Sequence, residues 1–450
     1  SVTLFNCFVM GTVPDNMGGI FEMLKEAALT MQQGGGIGYD FSTIRPKGAA
    51  VKGVAADASG PLSFMDVWDA MCRTIMSAGS RRGAMMATMR CDHPDVEQFI
   101  VAKQDAARLR MFNLSVLITD PFMDAVKADG SWELKFGDMV YKTVQARDLW
   151  NQIMKSTYDF AEPGVIFIDR INQRNNLHYA ETIAATNPCG EQPLPPYGAC
   201  LLGSINLAKL VADPFENAAH LDVAALDDLV RTAVRMMDNV VDSSKFPLDA
   251  QRDEALAKRR IGLGVTGLAD ALLMVGSQYG TQEAAELAES WLKAIARSAY
   301  LASSDLAAEK GAFPLFDKEK FLASETMMDM DDDVRGDCQK RYPQRLADIH
   351  CTHWHHQPVR RQRIIRHRTG FRLRLHPQSL AERRIAHRRR GRGLRRSNVA
   401  RKVWRQRIAQ LFRERANIGT IGPRPHAGIC AKMGRQLDLQ DHQLPRRYQL

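Results

Sequence analysis

Apolar and polar residues alternate along residues 1–335 in two different ways. Short apolar runs that suit buried strands lie at 4–10, 111–118 and 164–168. Apolar residues at helical spacing predict helices at 20–32, 63–77, 148–160, 221–241, 262–275 and 283–306. Because strands and helices alternate along the chain, the pattern predicts an α/β fold with a mainly parallel sheet and crossover helices.

The pattern stops towards the end of the chain. Residues 360–396 show neither helical nor strand alternation, only Arg, His and scattered apolar residues. No run in the chain approaches the roughly 20 apolar residues of a membrane helix, and no signal peptide is evident. The chain begins at Ser1 without an initiator Met, which we interpret as a truncation. We expect a cytoplasmic protein that does not enter a membrane.

Charge divides the chain into two unlike parts. The chain has 450 residues, of which 45% are hydrophobic and 25% are charged, an ordinary globular composition that excludes fibrous and wholly disordered proteins. Residues 339–450 hold 26 Arg and 3 Lys against 5 acidic residues, a net charge of +24. Since the whole chain carries +10, residues 1–338 carry −14. An acidic globular protein is therefore joined to a very basic tail, whose arginines could also indicate nucleic-acid binding.

The strongest chemical signal is the segment 187–200, NPCGEQPLPPYGAC. It places the Cys189 thiol two residues from Asn187 and two from Glu191. In an extended loop, alternate side chains project to the same side, so these three can face one substrate. Four prolines stiffen the segment and exclude a helix. The segment therefore predicts a rigid catalytic loop.

Simpler roles for the cysteines of this chain remain open. A single Cys is most often a buried apolar residue, which is our interpretation of Cys72 and Cys91. The spacing of Cys189 and Cys200 differs from that of zinc sites, so no metal site is predicted. A structural disulfide is disfavoured because nothing indicates secretion. A redox pair needs a second accessible thiol, for which Cys7 and Cys200 are the candidates.

The run 187–207 resembles the finger loop of a ribonucleotide reductase, and it is most similar to the adenosylcobalamin-dependent class II enzymes. Further stretches agree with the family in the right order: 6–9 (NCFV), 34–42 (GGGIGYDFS), 60–65 (GPLSFM), 79–84 (GSRRGA) and 162–169 (EPGVIFID). The resemblance covers residues 1 to about 335. It implies a partial ten-stranded α/β barrel with the finger loop threaded through its centre.

The resemblance also implies a reaction that supplies 2′-deoxyribonucleotides for DNA synthesis. Cys189 would form the thiyl radical that abstracts the 3′-hydrogen of a ribonucleotide. Glu191 would be the base on the 3′-hydroxyl, and Asn187 would hydrogen-bond the sugar hydroxyls. Cys7 and Cys200 would supply two electrons and become a disulfide while the 2′-hydroxyl leaves as water.

Cofactor and partners follow from the same resemblance. Adenosylcobalamin (vitamin B12) would supply the radical, although no D-x-H-x-x-G cobalamin motif is present. We expect a ribonucleoside-diphosphate reductase, a homodimer that a thioredoxin or glutaredoxin-type protein reduces again after each turnover. A class I large subunit, whose radical comes from a separate metal-containing subunit, is the alternative. The short interval between Cys189 and Cys200 and the Pro-Cys-Gly sequence favour class II.

Substrate and effector contacts are implied at further positions. Asn6 and Gly36 resemble positions beside the substrate. Effector deoxynucleotides or ATP would bind where a carboxylate suits a ribose and cations suit phosphates. The candidates for this allosteric site are Asp15, Arg45, Lys52, Lys103, Arg108 and Arg110, and the last three lie in or beside a loop, 103–113, that resembles the one relaying effector identity. A solvated surface charge is the alternative role for each of them.

The family pattern stops after Arg335, and its Pro-Thr-Gly-Thr phosphate-binding turn is absent. With synonymous codons chosen freely, reading from the second nucleotide lets residues 348–371 encode TSIAPTGTISLFADNVSSGIEPVF. Residues 429–450 can encode AQKWVDSSISKTINCPEDINF in the same way. Both are missing family segments in the expected order. We infer that residues 336–450 are an out-of-frame translation rather than a native domain or a nucleic-acid-binding arm. Residues 1–335 would be an incomplete catalytic barrel, and the polypeptide as written would be inactive.

Overall fold

The computed structural model describes residues 3–51, 56–75, 83–105, 107–341 and 349–350. Three parts of the sequence prediction lie outside the described residues. They are the effector candidate Lys52, Arg81 and Arg82 of the family stretch 79–84, and most of the basic tail.

The strands are short and spread along the chain. They are β1 (Cys7–Val9), β2 (Gly36–Asp40), β3 (Met85–Arg90), β4 (Phe112–Ile118), β5 (Ser131–Phe136), β6 (Met139–Gln145), β7 (Gly164–Phe167), β8 (Ala185–Thr186), β9 (Pro193–Leu194), β10 (Ala199–Cys200), β11 (Leu202–Asn206), β12 (Val211–Ala212), β13 (His220–Leu221), β14 (Ile261–Thr266) and β15 (Ile349–His350).

The helices alternate with these strands. They are α1 (Met17–Gln32), α2 (Pro61–Thr74), α3 (Val96–Val101), α4 (Asp120–Ala128), α5 (Ala146–Phe160), α6 (Ile168–Gln173), α7 (Val223–Ser243), α8 (Asp249–Lys258), α9 (Leu268–Met274), α10 (Gln282–Lys310), α11 (Lys318–Leu322), α12 (Glu325–Met328) and α13 (Asp332–Arg341). None of the helices in the described ranges is long and apolar enough to cross a membrane.

Two sheets organise the fold. The larger has the order β10-β1-β2-β3-β4-β7, in which all neighbours are parallel except β10 and β1. The smaller is the parallel sheet β11-β14-β15. The α/β class and the mainly parallel sheet are therefore confirmed. Within the described ranges the two sheets do not close into a barrel, so the ten-stranded barrel stays a prediction.

The core lies between the larger sheet and the helices that cover it. Strand β3 is buried at every position except its last, and β4 at every position except its second, as expected for parallel strands covered on both faces. Trp68 of α2 packs edge-on against Tyr39 and Phe41 of β2, and Phe41 packs edge-on against Phe112 of β4. These contacts fix α2 against the strands that carry the site.

One predicted element is wrong. The segment expected to be a helix at 262–275 is instead strand β14 followed by helix α9. Ile261, Leu263 and Val265 alternate with two glycines and a threonine, and this period of two is the pattern of a strand. Gly267, with φ at +69°, then ends the strand and begins the helix.

The β5–β6 hairpin was not predicted, and it turns at Gly137, where φ is +58°. Trp132 and Leu134 alternate with polar residues before that turn, which is the signal that could have identified it.

Helix α13 crosses the expected boundary at residue 335. Its Val334 and Cys338 are fully buried in a small apolar cluster that also contains Leu177 and Tyr300. Helix α13 continues to Arg341, so ordered packing extends a few residues beyond Arg335.

Candidate active site

The loop of residues 187–192 joins β8 to β9, which pair as a two-stranded antiparallel ribbon. Its ends are closed by a hydrogen bond from the Asn187 amide to the Gln192 carbonyl, 3.0 Å long. Gly190 has φ at +84° and donates to the Asn187 carbonyl at 3.1 Å. The expected extended loop is therefore wrong, because the left-handed glycine lets the chain reverse within six residues.

Two glycines of β2 let this ribbon lie directly on the larger sheet. A Cβ atom at Gly38 would be 1.8 Å from the Thr186 carbonyl oxygen, and one at Gly36 would be 2.7 Å from Cγ of Pro188. Gly36 was predicted to lie beside the substrate, and the structure places it against the loop. Gly38 was missed, although the Gly-x-Gly pattern places both glycines on one face of the strand.

The three loop residues predicted to be catalytic differ in exposure. Cys189 is exposed, Asn187 is fully buried and Glu191 is half-buried. The Asn187 side-chain oxygen accepts from the Gln192 amide at 2.9 Å, which leaves the Asn187 Nδ2 atom to donate. Within the described part of the chain, neither Asn187 Nδ2 nor Glu191 Oε2 has a hydrogen-bond partner. A buried donor and a buried acceptor thus flank the thiol, and both are costly to leave unsatisfied unless water or a polar ligand binds.

The two candidate redox cysteines lie opposite each other on adjacent strands of the larger sheet. Cys7 of β1 is the register partner of Cys200 of β10, and both are in the thiol form. Burial raises the pKa of the Cys200 thiol, and its acidic neighbours Cys7, Glu191 and Cys189 raise it further. These electrostatic effects require the four groups to lie near one another. The structure therefore brings together every residue of the predicted redox and acid–base set.

The substrate candidate Asn6 precedes this pair. Its side chain is exposed, and its carbonyl accepts from the Gly36 amide at 2.9 Å. This hydrogen bond fixes the start of β1 against β2 next to the loop.

The effector candidates lie on separate segments. Arg45 Nε pairs with Asp15 Oδ2 at 2.9 Å, and the Arg45 amide bonds the other oxygen of that carboxylate at 3.0 Å. Lys103 pairs with Glu162 at 2.6 Å, and Arg108 forms a two-pronged ion pair with Asp66. Arg110 is exposed. Asp15 and Arg45 are thus brought together, whereas Lys103 and Arg108 each contact a carboxylate of their own.

A buried charge cluster behind the loop was missed by sequence reasoning. Glu181, four residues before β8, pairs with Lys258 at 2.7 Å and with Arg260 at 2.5 Å. The side chain of Asn175 also donates to this carboxylate, at 2.9 Å. Burial alone would raise the pKa of Glu181, but Arg260 and Lys258 outweigh that effect and lower it. The cluster ties the segment entering the loop to the end of α8 and to the residue that precedes β14.

A comparison with protein families identifies the architecture that carries this site. The family model described as the barrel domain of ribonucleotide reductase matches residues 5–362 of the chain. The chain belongs to this family. The match to the ribonucleotide reductase barrel continues 27 residues beyond Arg335, past the point where we expect the family pattern to stop.

Curated relatives of this ribonucleotide reductase barrel fall into two groups. The vitamin B12-dependent ribonucleoside-diphosphate reductase of Mycobacterium tuberculosis is 40% identical over 325 residues, which cover 71% of this chain and 46% of the relative. The enzyme of the same name from Thermoplasma acidophilum is 40% identical over 311 residues, which cover 68% of this chain and 40% of the relative. The ribonucleoside-diphosphate reductase subunit alpha of Chlamydia pneumoniae is 28% identical over 355 residues, which cover 71% of this chain and 33% of the relative. The chain thus spans less than half the length of these relatives.

Proposed function

We propose that this chain is the catalytic barrel segment of an adenosylcobalamin-dependent ribonucleotide reductase, an oxidoreductase that converts ribonucleoside diphosphates into their 2′-deoxy forms for DNA synthesis. The observation that carries the proposal is the unsatisfied buried pair beside Cys189, formed by Asn187 Nδ2 and Glu191 Oε2. Identity of 40% to B12-dependent relatives, against 28% to a subunit alpha, favours the class II enzyme over class I.

The exposed Cys189 thiol fits a radical source that approaches from outside the loop. When bound, adenosylcobalamin supplies the one-electron chemistry that converts a thiol into a thiyl radical. The loop contributes rigidity, because its closed turn and its close contact with β2 limit where the backbone that carries Cys189 can lie.

Each of the three loop residues has a separate role in the reaction of the ribose. The Cys189 sulfur takes the 3′-hydrogen atom and returns it after the reduction. Glu191 Oε2 accepts the proton of the 3′-hydroxyl, as a carboxylate in hydrogen-bond reach can. Asn187 Nδ2 donates to a hydroxyl oxygen and fixes the orientation of the sugar. Binding of the ribose would satisfy both of the polar atoms that are otherwise unpaired.

Cys7 and Cys200 supply the two electrons of the reduction. The 2′-carbon loses its hydroxyl as water and gains a hydrogen, which requires two electrons and two protons. The two thiols provide both when their S–H bonds break and an S–S bond forms between them. A thioredoxin or glutaredoxin-type protein in the cytoplasm then reduces this disulfide in the complete enzyme.

Regulation and assembly belong to the same proposal. The Asp15–Arg45 pair is half-buried, and it would offer its carboxylate to the ribose and its guanidinium to the phosphates of a deoxynucleotide or ATP effector. Lys52, Lys103, Arg108 and Arg110 would complete that allosteric site. The complete enzyme would be a homodimer.

We further propose that residues from about 336 onward are translated out of frame and that the chain as written is inactive. The support is the order and length of the two family segments that the shifted frame can encode when synonymous codons are chosen freely. Sequencing the gene across the codons for residues 330–345 tests this directly. A one-nucleotide correction that restores the Pro-Thr-Gly-Thr turn is expected, and an unaltered frame in genomic DNA would contradict it.

The reaction is tested with the frame-corrected enzyme, adenosylcobalamin, a dithiol and a ribonucleoside diphosphate. We expect reduction without a second subunit, and we expect Cys189→Ser to abolish it while nucleotide binding is kept. The matched control is Cys91→Ser, which replaces a buried thiol whose pKa burial raises to about 11. Turnover by Cys189→Ser would refute the radical role, and activity only with a di-metal partner would identify a class I enzyme.

A further inference from the structure

Asn113 contacts the catalytic loop from a neighbouring strand. It is the second residue of β4, and its side-chain Nδ2 donates to the Pro188 carbonyl at 2.6 Å. That carbonyl belongs to the peptide bond that links Pro188 to Cys189. The hydrogen bond therefore acts on the peptide plane from which the Cys189 side chain departs.

Among the described backbone hydrogen bonds of the loop, none uses the Pro188 carbonyl. The loop's internal bonds join Asn187 to Gly190 and Asn187 to Gln192, on either side of the Pro188–Cys189 peptide. Pro188 has no amide hydrogen with which to anchor itself. A donor from the sheet is thus a means of holding the carbonyl in one direction.

Apolar contacts restrain the neighbouring loop residues but not the carbonyl. Cγ of Pro188 lies over Gly36, and the methyl group of Met86 would be 3.6 Å from a Cβ at Gly190. These contacts limit where the loop lies. A directional hydrogen bond, by contrast, favours one orientation of the peptide.

The strand that carries Asn113 is itself well anchored. The Met111 amide donates to the Asp69 carboxylate at 2.8 Å, just before β4 begins. The Lys103 ammonium donates to the Phe112 carbonyl and pairs with Glu162. Asn113 is therefore attached to a rigid support, as a positioning group must be.

We propose that Asn113 is a positioning residue for the radical chemistry, because its amide orients the Pro188–Cys189 peptide and so aims the Cys189 sulfur at the substrate. The purpose assigned to the contact rests on the proposed function. The contact itself can be tested without turnover.

The test measures hydrogen exchange of the loop amides in the full 450-residue chain. Asn113→Ala removes the donor, and Asn113→Asp replaces it with an isosteric carboxylate. Loss of one neutral hydrogen bond corresponds to about fivefold faster exchange at Gly190 and Gln192, with no change in the amides of β3. The matched control is Asn151→Asp, which makes the same substitution at an exposed position of α5.

A pH series separates positioning from a general loss of structure. In Asn113→Asp the protonated carboxyl can donate to the Pro188 carbonyl, so loop protection should be present at low pH and lost as the carboxyl ionises. Glu191 and Cys189 are ionisable groups of the same loop, and Lys103, paired with Glu162, contacts the neighbouring Phe112 carbonyl. All four groups are equally present in the parent and in Asn113→Ala. A step that appears only in Asn113→Asp is the expected signature.

Kinetics of the frame-corrected enzyme complete the test. Asn113→Ala should lower kcat several-fold with KM nearly unchanged, because the substrate contacts remain and the sulfur is misaligned. Unchanged loop exchange in both Asn113 variants, or faster exchange with an unchanged kcat, would overturn the proposal. Absence of reduction by the frame-corrected parent would instead count against the proposed function alone.

Discussion

Cys7 and Cys200 lie directly opposite each other in the antiparallel pair of β1 and β10. Opposed residues in such a pair have Cα atoms about 4.5 to 5.5 Å apart, which is within the range that a disulfide spans. Strand β10 follows the β8–β9 ribbon in the chain, and the turn of that ribbon carries Cys189. The fold thus places two thiols that can form a disulfide on strands next to the ribbon that carries the exposed Cys189 thiol.

Mild oxidation of the chain should therefore join Cys7 to Cys200. We expect this disulfide to dominate after treatment with diamide, as detected by peptide mass spectrometry without reduction. Burial raises the pKa of Cys200 and keeps it a thiol at neutral pH, so the reaction should accelerate as the pH rises. Cys7→Ser should abolish the product, and Cys72→Ser should not affect it. A dominant disulfide that involves Cys72 or Cys91 would contradict the arrangement.

Gly38→Ala should displace the loop and destabilise the protein. The new Cβ would lie 1.8 Å from the Thr186 carbonyl oxygen, a backbone atom that can move only with the ribbon. We expect a loss of roughly 1 to 3 kcal/mol in the free energy of unfolding, measured with urea. The matched control is Gly18→Ala, in the exposed first turn of α1, where the nearest atom to the new Cβ is 3.6 Å away. That control should be neutral or slightly stabilising, and equal effects of the two changes would contradict the packing.

Glu181→Gln should be strongly destabilising at neutral pH. It removes the carboxylate that Lys258 and Arg260 share but leaves Lys258 paired with Glu254 at 2.5 Å, so the loss should not exceed the roughly 3 to 5 kcal/mol of buried pairs that lose one partner. Because the pKa of Glu181 is lowered in the folded state, its stabilisation is present above the unfolded value of 4.5 and is lost as the pH falls through the folded value.

The difference in unfolding free energy between parent and Glu181→Gln should accordingly shrink below about pH 4.5. Glu309→Gln is the control, since Glu309 pairs with Arg235 at an exposed position of α10 and its loss should change stability little. A difference that stays constant between about pH 7 and pH 3 would show that the carboxylate charge is not what stabilises the segment.

Much of the fold could be predicted from the sequence because local pattern decides it. The helix expected at 148–160 is α5, and the strand expected at 111–118 is β4. The failure at 262–275 has a local cause as well, since a strand and a helix meet there without the polar break that usually separates them. An assignment from hydrophobic periodicity alone gives the whole of such a junction to the element with the longer periodic run, here the helix.

The site was only partly predictable for a different reason. Cys189, Asn187 and Glu191 could be identified as candidates because chemistry-bearing residues stand together in the chain. Asn113 contacts the loop across 75 positions of sequence, and Glu181 meets Arg260 across 79, so only the packed structure brings these groups together. Their roles depend on tertiary contacts that no periodicity encodes.

The basic tail should be removed by trypsin, leaving a resistant acidic fragment. An out-of-frame segment has no selected core, and 26 arginines cannot be buried without partners, so each remains a site of cleavage. Cys338 of α13 is buried, so we expect trimming to stop near Arg341 rather than at Arg335. Mass spectrometry gives the end point, and binding to an anion exchanger confirms the acidic charge. A tail that resists trypsin despite its arginines would show that it folds, and would contradict translation out of frame.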